Sequence, residues 1–276
     1  MKIKRFIKLI MLVAGLSGIC YYWYLDFQRF CDRTVPILAY HRVENLDDRY
    51  TIQPEIFEKQ MAYLQKAGYT TLNLDQYAVA RKNKKALHKK IVLIFDDGYE
   101  DNLTVAAPIM KKYGFTGSMF MAVKFEGWPG YIDWNKQHEL VKYGWEIGSH
   151  TYSHVPLPTL SREKVREELV KSKKYVMGIY NPPTGITISL PTGATSPMVQ
   201  EEIAKAGYIA AVSGKVGVNT ENTSLLDLNR VNVFQYKKMQ GVEIFRLALL
   251  KAQLRSWSLS HGIDVIGVWD RFRGNE

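Results

Sequence analysis

The stretch IVLIFDDGYEDN, residues 91–102, is the most informative part of the sequence for the fold. It opens with five apolar residues rich in β-branched types, a composition typical of a buried strand. Asp96, Asp97 and Gly98 follow at once. These residues can simply form the turn that ends such a strand, or the two carboxylates can stand at the rim of a pocket.

Strand and helix patterns alternate on both sides of this stretch. Strands are predicted at residues 35–40, 69–74, 91–95, 115–123, 145–149, 186–190, 208–212 and 230–234. Helices are predicted at residues 54–68, 103–114, 161–178, 196–207 and 241–254, and Asp133 is expected to cap one more through Tyr143. Because crossover helices join parallel strands, the alternation predicts an α/β barrel or open sheet. Since no repeat or low-complexity linker interrupts it, residues 31–276 are predicted to form one domain.

Residues 1–30 are expected to form a targeting segment. A basic start, MKIKRFIK, precedes an almost wholly apolar run at residues 9–25. With Phe6 and Ile7, the run has about the 20 residues that a transmembrane helix needs. The basic flank predicts an N-terminus in the cytoplasm, and hence a membrane-anchored domain at the cell surface or in the periplasm. Cleavage of the segment, which would release a secreted domain, is the alternative.

The formal net charge of +10 is explained in part by local clusters. The cluster RKNKKALHKK, residues 81–90, has no interleaved aromatic residues and matches no nucleic-acid-binding motif. It therefore predicts a solvated segment and no nucleic-acid partner, with contact to an anionic membrane or polymer as the alternative. Cys20 lies inside the apolar run and no Cys-x-x-Cys pair is present, so neither a structural disulfide nor a cysteine metal site is expected.

Several predicted strands are followed or preceded by residues that can carry chemistry. They are His41, Asp96, Asp97, His150 and the tripeptide Pro191-Thr192-Gly193, and Arg230 begins the last predicted strand. In parallel α/β folds, functional sites are built at the carboxyl ends of the strands. We therefore expect these residues to meet at one rim.

His150 and His154 lie four residues apart, a spacing that places two imidazoles on one face of a helical turn. Such a pair can bind one cation, and a carboxylate as third ligand leaves a position open for water. Two polar residues in a surface loop are the alternative. Consecutive side chains of an extended backbone point to opposite sides, so Asp96 and Asp97 can divide the roles of base and ligand.

His41 can carry chemistry at this rim, or it can be a structural histidine of the rim or core whose ring nitrogens are hydrogen-bonded to neighbouring groups. Arg42, which follows it, can orient a carboxylate or can be a surface charge.

Three segments resemble the motifs of the polysaccharide deacetylases, carbohydrate esterase family 4. They are FDDGY (95–99), HTYSH (150–154) and LPTG (190–193). PILAYHRV (36–43) and LNRVNV (228–233) resemble the branch that includes poly-N-acetylglucosamine deacetylases. The resemblance implies a distorted (β/α)7 barrel, which agrees with the alternation of strands and helices.

The resemblance also implies roles for individual residues. Asp97, His150 and His154 match the metal ligands, usually filled by zinc, with cobalt or nickel as alternatives. Asp96 matches the catalytic base, and Arg230 matches the arginine that holds this carboxylate.

The general acid of many family members lies in a late Leu-His motif, which is absent here, because His261 stands in Ser-His-Gly. In the branch with an early Tyr-His motif the acid is that histidine, which corresponds to His41. Pro191, Thr192 and Gly193 match the loop whose backbone N–H binds the oxyanion. Thr192 replaces the usual aromatic residue, a change that affects the wall of the sugar pocket and not the backbone donor.

Aromatic residues between the motifs are candidates for lining a sugar groove, with core packing as the alternative. They are Tyr99, Trp128, Tyr131, Trp134 and Tyr152, and core packing is favoured for Trp134.

The first hypothesis is a membrane-anchored, metal-dependent hydrolase that removes N-acetyl groups from N-acetylglucosamine-containing polysaccharide and releases acetate. A deacylase of peptidoglycan, a glycolipid or another acylated sugar is the second hypothesis. A non-catalytic glycan-binding protein on the same scaffold is the third.

Overall fold

The computed structural model describes residues 2–235 and 241–267, with side chains from residue 11 onward. The strands in these ranges are β1 (Ile37–Tyr40), β2 (Arg42–Val43), β3 (Thr51–Ile52), β4 (Thr70–Thr71), β5 (Lys90–Phe95), β6 (Ser118–Met121), β7 (Glu146–Ser149), β8 (Thr187–Ser189), β9 (Ala210–Val216) and β10 (Leu228–Asn232). The α-helices are α1 (Lys2–Arg33), α2 (Pro54–Lys66), α3 (Leu74–Lys82), α4 (Ala107–Lys112), α5 (Trp134–Lys142), α6 (Arg162–Ile179), α7 (Pro197–Lys205) and α8 (Val242–Ser260).

Seven parallel strands close into a ring. Their order is β1-β10-β9-β8-β7-β6-β5, and β1 also pairs with β5, which completes the circle. Strand β4 pairs with the start of β5 outside this ring. The parallel seven-stranded barrel predicted from the sequence is thus confirmed.

The buried residues of the barrel alternate between two apolar clusters. Ile37 and Val92 belong to a cluster that includes Leu74 and Tyr77 of α3. Leu38, like other alternate positions of β1 and β5, belongs to a larger cluster with the surrounding helices. Since side chains of a strand point alternately to its two faces, the first cluster fills the barrel and the second lies outside it. Helix α3 closes the end of the barrel where the strands begin.

Two predicted elements differ from the structure, and one helix was not predicted. Residues 69–74, predicted as a strand, contain only the two residues of β4. Helix α3 follows directly and was not predicted; at its start the Asn73 N–H donates to the Gln76 side-chain oxygen at 3.1 Å. The helix predicted at 103–114 begins as a π-helical turn, Asn102–Ala106, before α4. The cap predicted at Asp133 is confirmed, since its side chain accepts from the Lys136 N–H at 2.9 Å.

The transmembrane helix predicted over residues 1–30 is not supported. Among the residues that the structure describes, no helix is both long and apolar enough to cross a bilayer. Residue 1 and the side chains of residues 2–10 lie outside the described part. Helix α1 continues through Arg33, and its last turns pack on α8, where the Trp257 indole N–H donates to Asp26 at 2.8 Å.

Glu146, at the start of β7, is fully buried and links the barrel to α3. Its carboxyl group accepts from the Asp75 N–H at 3.1 Å, from the Ser118 hydroxyl at 2.7 Å and from the Thr187 hydroxyl. Burial, and then the nearby charge of Asp75, raise the pKa of Glu146 to about 7. The buried carboxyl group is therefore more easily protonated than it is in the unfolded chain.

This raised pKa makes the stability of the fold pH-dependent. Because the folded pKa is above the unfolded value of 4.5, the contribution of Glu146 is complete below about pH 4.5 and is lost as the pH rises through about 7. Glu146→Gln is expected to remove this pH-dependent part of the free energy of unfolding, whose slope is at most about 1.4 kcal/mol per pH unit. Chemical denaturation at pH 5 and pH 7.5 measures it, with exposed Glu55→Gln as control. Equal pH slopes in wild type and Glu146→Gln would contradict the prediction.

Candidate active site

The register of the barrel brings the predicted strand-end residues to one rim. Tyr40 of β1 stands beside Phe95 of β5, so His41 and Asp96 leave neighbouring strands at the same level. The Asp96 N–H donates to the Tyr40 carbonyl at 3.0 Å. His150 leaves β7 in the same way, with its N–H donating to the Met121 carbonyl at 2.8 Å.

Asp97, His150 and His154 converge on a common point. Oδ1 of Asp97 lies 3.4 Å from Nε2 of His150 and 3.1 Å from Nε2 of His154. One ligand atom from each residue lies within 4.8 Å of the other two. Two imidazole nitrogens and a carboxylate oxygen are a donor set that suits zinc and similar divalent ions.

The hydrogen bonds and charges of these residues fit a cation. Nδ1 of His150 lies 2.7 Å from the Ser189 carbonyl, which can only accept, so Nδ1 carries a proton and Nε2 is the nitrogen that faces Asp97. Burial works to raise the pKa of Asp97, but the hydrogen bonds and charges of His150 and His154 hold it well below its usual range. Asp97 is therefore an ionised ligand at neutral pH.

The backbone at these residues is not what the spacing predicted. Residues 150–154 form no helical turn: Thr151 and His154 have φ values of 66° and 60°. Asp97, expected in an extended backbone, has φ 75°. Left-handed conformations cost free energy for residues other than glycine and persist where the surroundings hold them, often at functional sites. The predicted convergence is therefore reached by strained loops and not by regular structure.

Asp96 and Arg230 form a buried ion pair. Nη1 of Arg230 donates to Oδ2 of Asp96 at 2.9 Å, and the two residues are 6% and 1% exposed. Oδ1 of Asp96 is buried and has no hydrogen-bond partner in the described part of the chain. One carboxylate oxygen is thus fixed by the arginine and the other is left to accept a proton.

His41 lies against the same group of charges, and its ring centroid is 5.0 Å from that of Tyr50. Its carbonyl accepts from the Asn102 side-chain amide at 2.9 Å. Burial lowers the pKa of His41, although the charges of Asp96 and Asp97 oppose this. The imidazole is therefore neutral at pH 7 in the metal-free protein, whereas the role implied by the resemblance requires a protonated ring.

Arg42 orients a carboxylate outside the metal group. Its Nε lies 3.3 Å from Oδ2 of Asp101, whose other oxygen accepts from the Val43 N–H at 2.8 Å. Neither Asp101 nor Asn102 was predicted as a site residue, although both lie in the segment 91–102. Together they hold the segment that follows β1 against the segment that follows β5.

The loop of Pro191, Thr192 and Gly193 packs against Gly214 and the Arg230 side chain of the ion pair. Thr192 has φ 57°, and its side chain is exposed. A Cβ at Gly193 would lie 2.3 Å from the Gly214 Cα and 3.3 Å from Nη2 of Arg230. Glycine is therefore required here, because the backbone approaches β9 more closely than any side chain permits.

Four aromatic residues form a continuous row beside His154. Tyr99 stacks on Tyr131 with ring centroids 4.8 Å apart. Phe125, which was not predicted as a site residue, has its ring centroid 5.1 Å from that of Tyr131, 5.2 Å from that of Trp128 and 5.6 Å from that of His154. Trp128 is half exposed at the outer end. The row has the position and exposure of a wall for a ligand at the metal group.

The other two aromatic candidates lie elsewhere. Trp134 packs edge-on against Tyr175, and a Cβ at Gly178 would lie 2.6 Å from its ring. These contacts agree with the packing role favoured for Trp134. Tyr152 is exposed and has the Lys171 ammonium 5.5 Å from its ring centroid.

Sequence comparison assigns the family. The sequence model of the polysaccharide deacetylase family matches residues 83–211. YxkH of Bacillus subtilis (strain 168), whose name assigns it to the polysaccharide deacetylases, is 30% identical over 200 residues, which cover 72% of this chain and 71% of YxkH. The chain belongs to the polysaccharide deacetylase family and is a carbohydrate deacetylase, a hydrolase. Enzymes of this family generally depend on a divalent metal.

Solved structures share the fold. BC0361, a polysaccharide deacetylase from Bacillus cereus, is 27% identical with a TM-score of 0.68, covering 78% of this chain and 68% of BC0361. The Streptococcus pyogenes deacetylase PplD, at 24% identity, has a TM-score of 0.72, covering 78% of this chain and 98% of PplD. The second likeness shows the fold alone.

The Asp96–Arg230 pair gives a test of the site's electrostatics. Arg230→Met removes the buried partner of a carboxylate and is expected to lower the free energy of unfolding by about 3–5 kcal/mol. The double variant Asp96→Asn/Arg230→Met is expected to lose less, because no unpaired charge then remains. Urea denaturation at pH 7 measures both. A loss below about 1 kcal/mol for Arg230→Met would contradict the buried pair.

Proposed function

We propose that this chain is a divalent-metal-dependent N-deacetylase of N-acetylglucosamine-containing polysaccharide, with acetate as the released product. One observation carries the proposal: the group of Asp97, His150 and His154 lies beside a carboxylate, Asp96, with one oxygen fixed by Arg230 and the other unpaired. A hydrolase that activates water needs this combination of a cation site and an adjacent base.

Asp97, His150 and His154 are the residues that would hold the ion. Zinc is our first choice for this donor set, with cobalt or nickel as alternatives. When bound, the ion would act as a Lewis acid that polarises the amide carbonyl and lowers the pKa of a bound water molecule.

Asp96 is the base in this proposal. Oδ1 takes a proton from the attacking water while Arg230 holds Oδ2, so the carboxylate keeps its orientation as its charge changes. The water oxygen bonds to the acetyl carbon, the C–N bond breaks, and the nitrogen gains a proton. The products are acetate and a free amine on the sugar.

His41 and Thr192 are proposed to assist this reaction. His41 is proposed to pass the proton that Asp96 has taken from the attacking water to the leaving nitrogen, and because burial lowers the pKa of His41, its protonated ring gives up that proton readily. The Thr192 N–H is proposed to stabilise the oxyanion, on a loop held by the close packing of Gly193 against Gly214. Pro191 fixes the entry to this loop.

Two relatives support different polymers as substrate. The poly-β-1,6-N-acetyl-D-glucosamine N-deacetylase of Escherichia coli (strain K12) is 31% identical over 80 residues, which cover 28% of this chain and 12% of that protein. The peptidoglycan-N-acetylmuramic acid deacetylase PdaA of B. subtilis (strain 168) is 29% identical over 125 residues, 44% of each chain. We favour the glucosamine polymer because residues 36–43 and 228–233 resemble that branch, and we keep peptidoglycan as the second candidate.

We further propose that the reaction takes place outside the cytoplasm. The support is the basic start of the chain followed by an apolar run at residues 9–25, a pattern typical of exported proteins. Separating intact cells into surface, periplasmic and cytoplasmic fractions tests this location.

Acetate release tests the activity. The wild-type chain with zinc or cobalt is expected to release acetate from N-acetylglucosamine oligomers, peptidoglycan or both, and chelation is expected to abolish release. Asp96→Asn is expected to lower kcat about 10²–10⁴-fold while the ion still binds. A metal-loaded wild type that binds these glycans and releases no acetate would identify a binding protein instead.

The aromatic row predicts how the substrate is held. Trp128→Ala is expected to raise KM for longer oligomers several-fold with kcat unchanged, because Phe125 stands between the Trp128 ring and His154. Tyr143→Ala serves as control, since Tyr143 is exposed and precedes the start of β7, at the end of the barrel opposite the site. Steady-state kinetics on oligomers of increasing length measure the effect, and equal KM values for Trp128→Ala and wild type would exclude the row from binding.

A further inference from the structure

The loop 150–154, which carries both histidines, is held by a carboxylate that no motif contains. Glu168 of α6 accepts three hydrogen bonds from this loop. Oε2 accepts from the Tyr152 N–H at 2.9 Å and from the Ser153 N–H at 2.8 Å. Oε1 accepts from the Ser153 hydroxyl at 2.5 Å. Hydrogen bonds to an ionised acceptor are stronger than neutral ones, so this contact is the main support of the loop from the helix side.

The loop needs such support because two of its residues are strained. Thr151 and His154 both have left-handed φ values, 66° and 60°. A backbone of this kind persists only where neighbouring groups determine it. On the side opposite Glu168, the Tyr152 carbonyl accepts from the Lys124 N–H at 2.8 Å. The loop is thus clamped between α6 and the segment after β6.

His154 depends on this clamp more than His150 does. The ring of His150 is fixed through Nδ1 on the Ser189 carbonyl. The His154 N–H donates to Oγ1 of Thr151 at 3.2 Å, a bond inside the loop itself. Within the described residues, no hydrogen bond to the scaffold orients the His154 ring comparably. Its place beside Asp97 therefore follows from the path of the loop backbone.

We propose that Glu168 is a positioning residue for the metal site. Its carboxylate holds the loop so that Nε2 of His154 stays within ligand distance of Asp97, and it touches neither the ion nor the substrate. This inference rests on the proposed metal-dependent function. Loss of a group that orients a metal ligand typically costs 10–100-fold in metal affinity.

Glu167 is a matched control on the same helix. Its carboxylate pairs with Lys164 at 3.0 Å and with Lys171 at 2.5 Å, both on α6. Glu167→Gln removes the same charge at the neighbouring position without removing an acceptor from the loop.

The test compares Zn²⁺ and Co²⁺ dissociation constants of the full chain by competition with a chromogenic chelator. Glu168→Ala is expected to weaken binding about 10–100-fold. Glu168→Gln, which keeps one carbonyl acceptor, is expected to weaken binding less, and Glu167→Gln is expected to match wild type. The visible spectrum of bound Co²⁺ should change in Glu168→Ala, because the geometry of the ligands changes. Thermal unfolding of the metal-free variants shows whether the fold is intact, and Glu168→Gln serves if Glu168→Ala does not fold.

Dissociation constants of both Glu168 variants within twofold of wild type would overturn the inference and leave the proposed function standing. An equal loss in Glu167→Gln would also overturn it, because the effect would then come from charge alone. Wild type that binds neither ion would overturn the proposed function itself, and the inference with it.

Discussion

The site is organised around one oxygen atom of Asp97, which faces imidazole nitrogens of both His150 and His154 at 3.4 and 3.1 Å. A carboxylate this deep in the protein is costly unless cationic partners or hydrogen-bond donors meet it. His150 reaches this oxygen from the end of the buried strand β7, and His154 reaches it from the following loop, where its own backbone is left-handed. The free energy that maintains this convergence comes from the barrel beneath, through parallel strand pairing and two apolar clusters.

The barrel also directs the two adjacent aspartates that follow β5, Asp96 and Asp97, to different partners. Asp96 turns towards Arg230 of β10 and is almost wholly buried, whereas Asp97, with its positive φ, turns towards the histidines. Neighbouring residues thus enter different electrostatic environments. The question raised by IVLIFDDGYEDN is answered by this division, since a simple turn requires neither the buried arginine nor the converging imidazoles.

Much of this arrangement could be predicted because it follows from chain patterns. The alternation of elements predicted parallel strands in a barrel or open sheet, the family resemblance implied seven of them, and the strand ends predicted which residues meet. The local backbone conformation could not be predicted from these patterns. The spacing of His150 and His154 predicted a helical turn, whereas the structure has a loop with left-handed residues. Phe125 and Glu168 were missed because their importance depends on neighbours that only the folded chain provides. Helix α3 was missed because a strand-like run, residues 69–74, extends to its first residue. The membrane-spanning helix, inferred from apolar composition, is not supported by the described part of the chain.

The central claim is that Asp97, His150 and His154 hold a divalent ion. Anomalous diffraction at the zinc edge from crystals of the zinc-loaded chain tests it most directly. We expect one zinc peak about 2.0–2.2 Å from Nε2 of each histidine and from a carboxylate oxygen of Asp97. A site with no anomalous peak between these three residues, or zinc bound elsewhere on the chain, would contradict it.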